Sequence, residues 1–241
     1  MLVFQELTAL QSFVRSLVVL LSVLSLPARA AVIDCDLRPV EDGFRGTCVD
    51  SNSKGATIHL LSGSSSPRFA LRGTLAIEEG LVPVSVAPPS DEFYATGIVE
   101  TPYRWLELTR FERTAEGLRF SFDWDREARP SALDLDVLEL ASKILSDPNL
   151  WDRDDDRNCQ GTNWSLFCAL MQATFEVMGE PHHRQPALQV VRREVSAVGA
   201  DRIQSHRLMD FNNHPDTSFE EIRAVLRQAT AKVRAAIASG E

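Results

Sequence analysis

The hydrophobic pattern changes period once along the chain, and that change divides it. From residue 32 to 124 apolar and polar positions alternate in short runs, as in strands with one face in a core. Leu118, Phe120, Phe122 and Trp124 alternate with Arg119, Ser121 and Asp123. Phe69, Leu71, Leu75 and Ile77 alternate with Arg68, Arg72 and Thr74. Residues 55–61, 81–87 and 103–112 extend the series, the last joined to 118–124 by a glycine-bearing loop at 114–117. The register of that hairpin has two solutions, one opposing Phe111 to Phe120 and the other Leu108 to Phe122.

After a polar hinge at 125–130 the period becomes 3.6. Ser131 with Asp134 makes a capping box for a helix running to about Ser146. Residues 164–178 hold no charge before Glu176 and are apolar around most of a helical wheel, which predicts a central helix buried on several sides. Thr162 or Asn163 caps it, and Gly179 ends it. Pro186 opens a third helix ending near Gly199. Ser218 with Glu221, or Thr217 with Glu220, caps a last helix whose stripe is Phe219, Ile222, Leu226, Ala229, Val233 and Ile237. The expected fold is α+β. An N-terminal antiparallel β-sandwich or open barrel of about six to eight strands spans residues 31–126. A four-helix C-terminal domain spans residues 131–238.

The segment before residue 31 reads as a leader. Arg15 precedes an apolar run over 17–26, followed by Ala28-Arg29-Ala30, the pattern of a secretory signal peptide. The run is short for a membrane span, which needs about 20 apolar residues. Cleavage after Ala30 or Ala31 is expected, with a periplasmic or secreted product, and no later stretch reads as transmembrane. An exported chain with four cysteines favours disulfides. Four cysteines allow three connectivities. A turn centred between Glu41 and Asp42 opposes Cys35 to Cys48 and Leu37 to Gly46, so turn and cross-link agree on one register. Cys159 sits in the loop entering the helical turn that carries Cys168, which makes the second expected pair.

Composition narrows function mainly by exclusion. The formal net charge is −9, which argues against nonspecific nucleic-acid binding. No cofactor-binding loop and no nucleophile–base–orienter set is legible.

Two pieces of the chain resemble known sequences. Residues 151–159 with 165–170, and residues 206–217, are similar to a group of uncharacterised exported bacterial proteins. The second piece resembles a bacterial domain of unknown function marked by a Trp-Asn-Asp-x-Pro-x-x-Thr turn leading into a helix. The resemblance covers roughly residues 135–230 and implies no activity. Phe211 stands in place of the tryptophan and Asn213 in place of the aspartate, with Ser218 following Thr217.

Three clusters are candidates for chemistry. Asp152, Asp154 and Asp156 alternate like the start of an EF-hand loop, but Arg157 holds the glycine position and Asn163 the final glutamate position. The expectation is an arginine–aspartate network, ordered without calcium, in which Asp154, Asp155 or Asp156 pairs with Arg153 or Arg157 or caps a helix. The second cluster is His182, His183, His206, Asp210 and His214, the set a metal-dependent hydrolase would use, although no spacing matches H-E-x-x-H. Asn212, Asn213 and Asp216 beside His214 are natural caps and turn formers. The third is Arg207 with Asp210, near Arg184, expected as a buried ion pair between the last two helices. The functional expectation is an exported, non-catalytic module binding a protein or small molecule in the cell envelope. The alternative is the metal-dependent hydrolase.

Overall fold

The computed structural model describes residues 31–51, 55–62, 71–77, 80–89, 96–124, 129–180 and 184–240. The expected leader lies outside them, as do His182 and His183 and the strand positions Arg68 and Phe69.

Among the described residues eight antiparallel strands run in sequence order and close into a barrel. They are β1 (Ala31–Val40), β2 (Gly43–Asp50), β3 (Gly55–Ser62), β4 (Leu71–Ile77), β5 (Gly80–Ala87), β6 (Ile98–Glu100), β7 (Trp105–Arg113) and β8 (Leu118–Trp124). The expectation of a sandwich or open barrel is corrected on one point. β1 carries a partner on both edges, with Cys35 opposite Cys48 of β2 and Phe120 of β8. Closure satisfies the backbone groups that an edge strand would leave unpaired. The inward residues, among them Leu37, Leu60, Leu75, Leu108, Phe120 and Phe122, form one buried cluster.

Cys35 and Cys48 are bonded, their Cα atoms 4.0 Å apart, and Leu37 faces Gly46 as the turn position requires. The two register solutions for the β7–β8 hairpin both occur. Phe111 faces Phe120 and Leu108 faces Phe122, and a bulge between Leu108 and Arg110 absorbs the offset. Gly73 is needed where β4 crosses β3, because a Cβ there would lie 1.6 Å from the His59 carbonyl oxygen.

Among the described residues five α-helices follow, one more than expected: α1 (Ala132–Ile144), α2 (Leu166–Met178), α3 (Pro186–Val198), α4 (Arg207–Asn213) and α5 (Phe219–Ser239). The extra helix is α4, two turns that the sequence presents as a turn rich in asparagine and histidine. Ser131 and Asp134 form the expected capping box, and so do Ser218 and Glu221. Ser165, not Thr162 or Asn163, caps α2, accepting from the Cys168 backbone N–H. Trp164 stays outside the helix, in a short backbone bridge to Trp151. Gly179 ends α2 in the left-handed conformation, at φ 83°.

The expected central helix is not the most enclosed one. Leu166, Leu170 and Ala173 of α2 are buried, but Phe175 is 54% exposed and Phe167, Met171 and Met178 are half-buried. α1 holds the hub instead, packing against α2, α3 and α5 through Val137, Leu138 and Ala141. Asp134 serves two helices at once. It closes its own capping box and accepts the Ala187 N–H at the start of α3, at 3.0 Å. Gln185, the N-cap of α3, makes no side-chain cap bond, so the amide is satisfied from α1.

Candidate functional site

The barrel meets the helices through a buried polar contact. Glu100 ends β6, Gln189 lies within α3 and Arg207 opens α4. The Glu100 carboxylate oxygen Oε1 accepts from Arg207 Nη1 at 2.7 Å and from Gln189 Nε2 at 2.6 Å. Gln189 Nε2 also lies 3.3 Å from the Thr101 carbonyl. Only 7% of each charged side chain is exposed. A desolvated pair of this kind holds only when both charges keep their partners. Gln189 Oε1 is buried without a hydrogen-bond partner among the described residues. Around this contact, Arg192 of α3 sits 4.9 Å over the Trp105 ring, Arg184 pairs with Glu107, and Tyr103 packs against the helical core.

A groove opens beside the seam, enclosing about 480 Å³. Pro102 and Tyr103, from the loop between β6 and β7, form one wall. Val190, Arg193 and Glu194 of α3 form the second, at i, i+3 and i+4. Lys232, Ala235, Ala236 and Ser239 of α5 form the third, at i, i+3, i+4 and i+7. After Lys232, the α5 residues that face this space are all small. Glu194 is 4% exposed and bonds Lys232 Nζ at 2.5 Å, while the lysine stays 60% exposed. A volume of this size suits a small molecule.

The acidic loop is ordered differently from the expected network. Among the described residues, no ion pair joins its arginines to its aspartates. Asp152, Asp155 and Asp156 each accept the backbone N–H two residues on, from Asp154, Arg157 and Asn158. These are Asx turns, which disperse the carboxylates without cations. Arg153 donates to the carbonyls of His214 and Pro215 and stacks over Trp151. Arg157 is exposed with φ 65°. The loop is held from α4. Asn212 Oδ1 accepts from Trp151 Nε1 and the Leu166 N–H, and its Nδ2 donates to the Asp152 carbonyl and to Asn213 Oδ1. Asn213 pairs with both backbone groups of Asp155. Cys159 and Cys168 are bonded and tie the far end of the loop to α2.

The described members of the histidine cluster, His206, Asp210 and His214, are each engaged elsewhere. Among the described residues, no group of three or more His, Cys, Asp or Glu side chains is placed to hold a metal. Asp210 Oδ2 is taken by the backbone N–H groups of Gln204, Ser205 and His206, which it caps at the start of α4. His206 Nδ1 lies 3.2 Å from Ser205 Oγ, and His214 Nδ1 accepts from the Asp216 N–H. The expected ion pair is also corrected. Arg207 reaches across to Glu100 of the barrel, and Arg184 to Glu107, so these arginines join barrel to helices instead of one helix to the next.

Residues 129–232 match a family model described as a family of unknown function, DUF6197. The match begins just before α1 and ends within α5, so it covers the helices and not the barrel. Neither the curated proteins nor the solved structures include a match to this chain.

Glu100, Gln189, Glu194 and Lys232 were not among the candidates drawn from the sequence. A faint signal did exist. Glu194 lies on the side of α3 that Val190, Val191 and Val195 mark as buried, where a polar group requires a partner, whereas Gln189 lies on the opposite side and the pattern gives it no such mark.

Proposed function

We propose that this chain is an exported, non-catalytic binding module of the cell envelope. The groove at the barrel–helix seam carries the reading. Its walls come from three separated pieces of chain, and the buried Glu100–Gln189–Arg207 contact beside it holds barrel and helices in one arrangement. Preformed walls reduce the ordering cost of binding a ligand. Export draws support from Arg15, the apolar run and Ala28-Arg29-Ala30, and from two disulfides, which persist in oxidising compartments. No helix among the described residues is long and apolar enough to cross a membrane.

The test is a titration of the isotope-labelled chain, residues 31–241, with a library of small polar and amphiphilic molecules, followed by amide resonances. Binding should shift Tyr103, Arg193 and Ser239 together. Shifts confined to the barrel exterior or to the acidic loop would sink the groove as the binding site.

A further inference from the structure

We infer that the groove takes a small organic carboxylate with an apolar or aromatic body, an inference that rests on the binding reading above. Its charge lining departs from that of the chain. The whole chain carries −9, yet the groove holds two cations, Arg193 and Lys232, against one carboxylate, Glu194. That carboxylate is buried and already bonded to Lys232. It is therefore neutralised within the wall. An ammonium has three donors, and Lys232 is exposed enough to offer another to a ligand. Arg193 is exposed and belongs to none of the ion pairs seen among the described residues. One net positive charge thus faces the opening, on groups with donors to spare.

The rest of the lining is apolar or small. Val190 and Ala236 are buried at the base, and Pro102, Tyr103 and Ala235 complete the walls. The end of α5 would ordinarily present free carbonyls, which repel an anion. Gly240 turns back in the left-handed conformation, and its N–H bonds the carbonyls of Ala236 and Ile237, which removes part of that repulsion. An apolar body against Val190 and Tyr103, with its carboxylate between Arg193 and Lys232, satisfies every wall. A neutral ligand leaves the two cations unused, and a cationic one meets them unfavourably.

The experiment uses residues 31–241 with 3-phenylpropionate and its neutral twin, 3-phenylpropan-1-ol, as probes in amide chemical-shift titrations. The carboxylate should bind more tightly, by about fivefold, the upper end for one exposed ion pair. Arg193→Gln alters an exposed side chain and should remove that preference without unfolding the chain. Ala235→Trp places bulk in the opening from an exposed position and should abolish the shifts of both probes. Equal affinity for the two probes overturns the carboxylate assignment while leaving groove binding intact. Shifts that survive Ala235→Trp, or no binding of either probe, overturn both the assignment and the binding reading.

Discussion

Glu100 and Arg207 meet 2.7 Å apart at a seam where both are buried, one at the end of a barrel strand and the other in the first turn of a two-turn helix. Arg207→Ala leaves Glu100 charged and buried with Gln189 as its remaining neutral donor. The loss should be about 3–5 kcal/mol, read by urea denaturation. Replacing Glu100, Gln189 and Arg207 together with Leu, Leu and Met should recover most of it. If the triple variant is as unstable as the single one, burial of an unpaired charge is not the cause.

Asn212 uses every donor and acceptor of its side-chain amide, and none of it is exposed. Asn212→Ala strands the Trp151 indole N–H and the Leu166 N–H in the interior. A cost of about 2–3 kcal/mol is expected. The loop 152–163 should become susceptible to limited proteolysis before the rest of the chain. An unchanged cleavage pattern would show that the Cys159–Cys168 bond alone holds the loop.

Arg157 distinguishes an ion-pair network from Asx turns. Its side chain is exposed and its backbone lies at φ 65°. Arg157→Gly should be neutral or slightly stabilising, since the left-handed region costs an L residue about 1–2 kcal/mol. Arg153→Ala should lower the melting temperature, because it removes two carbonyl contacts and the stack on Trp151. Calcium and a chelator should each leave both melting temperatures in place. A several-degree rise with calcium would restore the cation-site reading of the loop.

Glu221 predicts an acid-sensitive contribution at the start of α5. The Ser218 backbone N–H holds its carboxyl below the ordinary value of 4.5, burial opposes that more weakly, and Arg202 and the Ser218 hydroxyl add to the lowering. A carboxyl lowered on folding stabilises the fold above its unfolded pKa. That stability is lost as pH falls through the lower folded value. The gap in melting temperature between the parent and Glu221→Gln should therefore be widest above pH 4.5 and close as the solution is acidified further. A gap independent of pH would assign the effect to the capping geometry alone.

N-terminal sequencing of protein recovered from a bacterial periplasm or culture medium should begin at Ala31 or Val32. Retention of Met1 on cytoplasmic protein would end the export proposal. In the mature chain, each disulfide should contribute about 3 kcal/mol on the chain-entropy model.

The features legible in the sequence are those whose partners lie close along the chain. Ser131 with Asp134 and Ser218 with Glu221 are three residues apart, and helical geometry alone brings them together. Cys35 finds Cys48 because a tight turn sets the strand register between them. Even the ambiguity at β7–β8 was informative, since a bulge lets both pairings exist. Other features depend on which surfaces lose water together, and no spacing encodes that. Arg207 lies 107 residues from Glu100 and only three from Asp210, yet the barrel carboxylate takes its guanidinium while Asp210 caps backbone N–H groups. Barrel closure needs β1 and β8 to arrive side by side. α4 is two turns long, too short to hold a helix by propensity, and it exists where Leu208 and Phe211 enter the core and Asn212 grips the loop. The groove is likewise a tertiary product. Arg193 and Lys232 share a surface because α3 packs on α5, and Tyr103 joins them because the barrel docks on α3 and α4, where Glu100 meets Gln189 and Arg207.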